Sequence, residues 1–200
     1  MNKGLNKLYE KADVTLGKHS LRVKDFTIIS NNCWAGFMYQ KHHLPYLSPT
    51  IGLMIFGDDF INFCRDLKRY VKEELVFIPF ETSKAYPMMK GCNPFPVGVL
   101  GDIEIYFLHY ASEREAKEKW ERRCKRINWE KIIYKVSQRE SFSGEHMKQF
   151  LNIAIKNKLC FTTEKIDGGI FIPELKTLVG DETPVIEKYF DEIEYLNCKL

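Results

Sequence analysis

Cys33 stands in the run SNNCW, so a thiol lies among the small polar side chains of Ser30, Asn31 and Asn32, with Trp34 beside it. Far along the chain, the run DIEIYFLHY from Asp102 ends in His109 and Tyr110, with Ser112 just beyond. Thiol chemistry runs through the thiolate and needs a neighbouring base to take the proton. Cys33 as nucleophile, His109 as general base and Asn32 or Asp102 as the orienting group would form such a set. The plainer reading makes Cys33 a small buried hydrophobe and the asparagines caps of the next helix. No Cys–His spacing rule carries between families, so the residues alone leave both readings open.

Other side chains offer weaker chemistry. By two-residue alternation His109 shares a strand face with Ile103, Ile105 and Phe107, which suits a core histidine, whereas its place at the strand end suits a crevice. Asp102 and Glu104 fall on the opposite face with Tyr106, as a carboxylate pair lining a cleft or as exposed groups on an edge strand. Ser48 and Thr50 flank Pro49 and offer two hydroxyls to a ligand or to a turn. Arg122, Arg123 and Arg126 could clamp a phosphate, although bases in a last helical turn are expected from the helix dipole alone. Trp120 sits on the inward stripe of that helix and reads as core. His42 and His43 lack ligand spacing and an acidic partner set, so no metal is expected. Neither glycine-rich phosphate loop occurs, and the cofactor is left unknown.

The elements that must position these groups follow from periodicity. Lys24–Ser30 reads as a strand, with a helix around Gly36–His42 after it. IGLMIF at 51–56 reads as a buried strand, and Asp58 or Asp59 caps a helix running to about Glu74. Leu75–Phe80 is a further strand. Pro87, Gly91, Pro94 and Pro96 make 82–101 an extended loop, which holds Tyr86, Met88, Met89 and Phe95 and is the candidate for an exposed apolar docking patch. Asp102–Tyr110 is the strongest strand signal, and Ser112 with Glu115 forms a capping box for a helix to about 127. A strand at Lys131–Val136, a helix at 145–156, a strand at Leu159–Thr162, an extended piece at Gly169–Pro173 and a helix at Val185–Leu196 close the chain. This alternation predicts the α/β class, with a three-layer α/β/α arrangement around a mostly parallel or mixed sheet. The expectation is one domain over 1–200, with 1–20 a peripheral N-terminal segment. In such sheets ligands bind beyond the carboxyl ends of strands, which is where Asn31–Cys33 and His109 fall.

Composition narrows the partners. The 200 residues are 44% hydrophobic and 28% charged, close to globular averages and far from disorder. A net charge of +3 with interleaved signs argues against nucleic acid. Six Lys/Arg against two acids in 1–24, and six acids against two Lys in 181–200, read as solvated surface. The six cysteines contain no CxxC pair, which suits a reducing compartment. The first residues lack a signal-peptide stretch and no run suffices for a transmembrane segment, so a cytoplasmic location is expected.

Three strings together carry a resemblance: ISNNCWAGFMYQ at 29–40, LSPTIGL at 47–53, and FPVGVLGDIEIYFLHYASEREAKEKWERRCKRIN at 95–128. In them the chain resembles a bacterial family catalogued as domain of unknown function 1919, whose members often carry the label exopolysaccharide-biosynthesis protein. The family pattern has a second glycine where this chain has Ala35, and commonly a histidine where it has Tyr106. A proton-transfer role for that histidine would not pass to Tyr106 without a large pKa shift. The resemblance implies an α/β fold and a link to surface glycans.

The resulting expectation is a cytoplasmic transferase of surface polysaccharide biosynthesis, using a nucleotide-sugar or acyl donor and a glycan acceptor. Its catalytic candidates are Cys33, His109 and Asp102. Asn31, Asn32, Ser48, Thr50, Glu104, Tyr106 and Arg123 would bind substrate. The alternatives are a non-catalytic assembly protein of a glycan-synthesis complex and a cysteine-dependent hydrolase.

Overall fold

The computed structural model describes residues 21–139 and 141–200. The expected peripheral segment at 1–20 lies outside them. Strand β1 (Thr27–Ser30) leads into helix α1 (Trp34–Lys41), and α2 (Gly57–Arg65) and α3 (Leu67–Tyr70) precede β2 (Val76–Ile78). Short α4 (Tyr86–Met89), β3 (Val97–Leu100), β4 (Ile103–Tyr106) and α5 (Glu113–Cys124) follow. The chain then forms β5 (Ile132–Ser137), α6 (Gly144–Asn152), β6 (Lys158–Thr162), β7 (Ile170–Phe171), α7 (Thr183–Ile186) and α8 (Glu192–Lys199).

The α/β class holds, but the strands divide between two sheets. One is parallel, in the order β1-β5-β6-β7, and the other is antiparallel, β2-β3-β4. The parallel sheet is buried on both faces. Ile28, Ile133, Leu159 and Phe161 pack under Trp34, Met38 and Tyr39 of α1 and under Leu196 of α8. Ile29, Tyr134, Val136 and Cys160 pack against Phe60 and Phe63 of α2 and Met147 and Phe150 of α6. Burial on both sides explains why β5 reads as a continuous run instead of an alternation.

Several element expectations are corrected. Residues 51–56 form no strand: Met54 makes one antiparallel bridge to Tyr106, and the next N–H, from Ile55, donates to the Asn31 carbonyl at 3.1 Å. The segment thus ties the antiparallel sheet to the parallel one, and a chain shared between two sheets cannot ladder with either. The long helix after Phe56 breaks at Asp66, whose φ of −138° is non-helical and whose carboxylate caps α3 by accepting from Arg69 N. Neither Asp58 nor Asp59 is a cap, since both lie inside the first turn. The stretch 82–101 contains α4 and β3. Its aromatic residues Tyr86 and Phe95, with Met89, pack on Phe80, Val97 and Tyr106, and Met88 stays 52% exposed. The Ser112 cap holds, accepting from Glu115 N at 3.2 Å while Glu115 Oε2 accepts from Ala111 N at 2.8 Å. Among the described residues no helix is long and apolar enough to cross a membrane.

Candidate functional site

The carboxyl end of β1 is built from side chains that act as backbone. Asn31, 1% exposed, accepts from Ser137 N at 3.1 Å and donates to the Ser137 carbonyl at 3.3 Å, adding one rung between β1 and the end of β5. Asn32 Oδ1 accepts from Trp34 N at 3.2 Å and so holds the start of α1. This places Cys33 at the N-terminal boundary of α1, half-buried and with helix-type φ and ψ.

His109 reaches the same rim by another route. After β4 the chain turns, His109 N donates to the Gly52 carbonyl at 3.2 Å, and the imidazole is exposed. Gly52 has φ +70°, and a Cβ there would stand 3.4 Å from both His109 Cβ and the Tyr110 ring. A glycine at this position supplies the left-handed turn and lets the 109–110 loop close against the 49–52 turn.

Two cavities meet at these groups. One, of about 340 Å³, is lined by Cys33, Phe37, His109, Tyr46, Tyr110, Lys119 and Arg123, among others. The other, of about 320 Å³, is lined by Cys33, Phe37 and His109 again, with Asn32, Trp34, Arg139, Asp181 and Glu182. The thiol and imidazole that the sequence places 76 positions apart therefore stand at the junction of both.

In the first cavity Arg123 is 6% exposed. Its NH1 donates to the Ile51 carbonyl at 3.2 Å and to the Tyr110 hydroxyl, and its guanidinium lies 5.2 Å from the Tyr46 ring centre. Burial raises the Tyr110 hydroxyl above its ordinary value, although the Arg123 charge opposes this. The second cavity has an ionic floor. Lys135, fully buried in β5, pairs with Glu182 and donates to Asn32 Oδ1 at 2.9 Å, while Ser137 Oγ donates to Glu182 at 3.0 Å. Arg139 donates to the Gly180 and Leu178 carbonyls, each at 3.0 Å, and so clamps the 178–182 segment over the ends of the strands. Trp34 Nε1 is a buried donor with no acceptor among the described residues.

The structure separates the other candidates from this rim. Asp102 lies at the opposite end of β4 from His109, exposed, accepting from Arg69 at 3.0 Å and from the Tyr70 hydroxyl at 2.9 Å. It cannot orient His109, and it forms no carboxylate pair with Glu104. Glu104 is buried, accepts from Lys84 N at 2.9 Å and from the Tyr106 hydroxyl, and Tyr106 itself accepts from Ala85 N at 3.1 Å. Burial and the Glu104 charge push the Tyr106 hydroxyl far above the ordinary tyrosine value, so it donates without releasing its proton. Ser48 and Thr50 are fully buried and serve the free edge of β1: Ser48 Oγ donates to the Ile28 carbonyl at 2.5 Å, and Thr50 Oγ1 accepts from Ser30 N at 3.1 Å. They offer a ligand nothing. Cys124 and Cys160 are pushed up to about 12 by burial, which leaves them poor nucleophiles.

Sequence reasoning missed Lys119, Tyr46, Lys135, Arg139 and Glu182. Only Lys135 carried a signal, as a lysine inside an otherwise apolar strand of a parallel sheet, where both faces are buried.

Comparison with known proteins agrees with the resemblance read from the sequence. The family described as domain of unknown function DUF1919 matches residues 5–197. An uncharacterized protein of Haemophilus influenzae is 29% identical over 188 residues, covering 90% of this chain and 86% of that one.

Proposed function

The chain belongs to the DUF1919 family, and from that premise we propose that it is a thiol-dependent acyltransferase whose acceptor is a hydroxyl of a surface glycan or its precursor. One observation carries this reading: Cys33 and His109 line both of two adjoining cavities. A reaction with two substrates needs a donor pocket and an acceptor pocket that meet at the reacting atom. A thiol and an imidazole lining the same cavities suit acyl transfer better than glycosyl transfer, because a thioester splits one difficult step into two easier ones.

In the first step Cys33 Sγ attacks the donor carbonyl as His109 takes the thiol proton. The donor's leaving group departs with that proton, and the acyl group is left on sulfur. In the second step His109 takes the proton of the acceptor hydroxyl, the new oxygen–acyl bond forms, and the proton returns to the Cys33 thiolate as it leaves. The cavity lined by Asn32, Arg139, Asp181 and Glu182 suits a polyol, since these polar side chains can hydrogen-bond its hydroxyls while Trp34 and Phe37 offer apolar surface to its carbon faces. The link to surface glycans implied by the resemblance read from the sequence supports a glycan in that place. Hydrolysis would need only one organic substrate, so the second cavity favours transfer to an acceptor over transfer to water.

The test is to incubate the protein with an acyl-coenzyme A, quench in acid and map adducts by mass spectrometry. The expected result is a thioester on Cys33, formed about 10² to 10⁴ times more slowly in His109→Asn. Iodoacetamide at neutral pH should modify Cys33 faster than the exposed Cys92 and Cys198. No adduct on Cys33, together with alkylation no faster than at Cys198, removes the proposal. Turnover of a nucleotide-sugar with no covalent intermediate removes it as well.

A further inference from the structure

We propose that the cavity around Arg123 is an anion subsite that takes the phosphate groups of a nucleoside-diphosphate-bearing donor. The inference deepens the transferase reading and rests on it for the word donor, while the anion site stands on its own geometry. Arg123 is 6% exposed, yet its partners are all neutral: the Ile51 carbonyl, the Tyr110 hydroxyl and the faces of Tyr46 and Tyr110. Among the described residues it pairs with no carboxylate. The nearby Glu115 is turned to Lys119 at 2.5 Å and to Ala111 N at 2.8 Å.

A buried charge is costly unless it is paired, and proteins almost always supply the counter-ion. Among the described residues no carboxylate lies in salt-bridge contact with Arg123, although its charge is felt at Glu115, and both of its hydrogen bonds to them run through NH1, which leaves the rest of the guanidinium fork without a hydrogen-bond acceptor there. That fork matches two phosphate oxygens. The surroundings agree with it. Among the described residues no acidic side chain lines the cavity, Lys119 adds a second cation, and a volume of about 340 Å³ suits a small ligand. Phe37, Tyr46 and Tyr110 add aromatic surface on which a nucleobase can stack. With Cys33 on the same wall, phosphates held at Arg123 would leave the far end of the donor directed to the thiol.

Calorimetry on the full chain at low ionic strength, with pyrophosphate, ADP and coenzyme A as probes, tests the site. All three should bind the unmodified protein, and Arg123→Gln should lose roughly tenfold or more in affinity for each. Arg123→Lys keeps the charge without the fork and should also weaken binding. Should Arg123→Gln fail to fold, Arg123→Lys decides alone. ADP binding tighter than pyrophosphate marks a nucleotide as the source, and equal affinities mark the phosphates alone. The proposal is overturned if no probe binds, or if the folded Arg123 variants bind as the unmodified protein does. A Cys33 thioester with no effect of Arg123 substitution sinks the subsite and spares the transferase. Anion binding without the thioester does the reverse.

Discussion

Lys135 of β5 and Glu182 of the segment before α7 are joined across the end of the parallel sheet, with side chains 0% and 3% exposed. The pair fixes the 178–182 segment as one wall of the cavity next to Cys33. Removing one partner leaves an uncompensated buried charge, which costs roughly 3–5 kcal/mol. We expect Glu182→Gln or Lys135→Met to lower stability by that order in urea unfolding. The double variant should cost clearly less than the sum, since it leaves neither Lys135 nor Glu182 charged, although Arg139 then loses its 3.4 Å contact with Glu182. Additive losses would show that the two charges do not depend on one another.

The same pair sets a pH dependence. Burial alone would raise the Glu182 carboxyl, but the Lys135 charge and hydrogen bond, together with a hydrogen bond from Asn32 and the Arg139 charge, outweigh it and hold the group below the ordinary glutamate value of 4.5. A carboxyl held low in the folded state adds stability above its unfolded value and loses it as pH falls through the folded one. The unmodified protein should therefore lose stability below about pH 4.5 more steeply than Glu182→Gln. Parallel curves for the two proteins across that range would refute the assignment.

Thr50 separates support from binding. Its hydroxyl accepts from Ser30 N and donates to the Ile28 carbonyl at 3.3 Å, so Thr50→Val leaves the buried Ser30 N unpaired, while the Ile28 carbonyl keeps the Ser48 hydroxyl. The expected loss is about 1–3 kcal/mol of stability, with ligand affinity at the Cys33 cavities unchanged. A changed affinity at constant stability would return Thr50 to the site.

Asp102 makes the opposite case. Its ion pair with Arg69 is exposed at 59% and 47%, and pairs of that kind contribute no more than about 1 kcal/mol. Asp102→Asn should leave both the melting temperature and the rate of Cys33 acylation nearly untouched. A loss of acylation rate of a hundredfold would restore an orienting role that its position at the far end of β4 denies it.

Much of the local structure was legible in advance because its signals are local. The Ser112–Glu115 cap, the strand before Cys33 and the helix after it come from residues a few positions apart, whose geometry is set by their own hydrogen bonds. The errors share one cause. IGLMIF has the apolar run of a buried strand, and it is buried, but Met54 pairs with Tyr106 while Ile55 bonds Asn31. Apolar character reports burial, whereas a strand also needs one continuous neighbour. The residues at 82–101 carry enough proline and glycine to read as loop, yet Val97–Leu100 pairs with both β2 and β4 because two partner edges are available there.

The sequence by itself determined which residues have the chemistry: a thiol and an imidazole, each just past the end of a strand, and arginines in the last turn of α5. Tertiary structure alone decided which of them meet. It set Cys33 and His109 on the walls of the same two cavities, buried Arg123 with no carboxylate among the described residues in salt-bridge contact, drew Glu182 onto Lys135, and sent Asp102, Ser48 and Thr50 to structural work elsewhere. The physical reason is that side-chain chemistry is a property of the residue, whereas proximity, burial and the pairing of charges depend on contacts between segments distant in the chain.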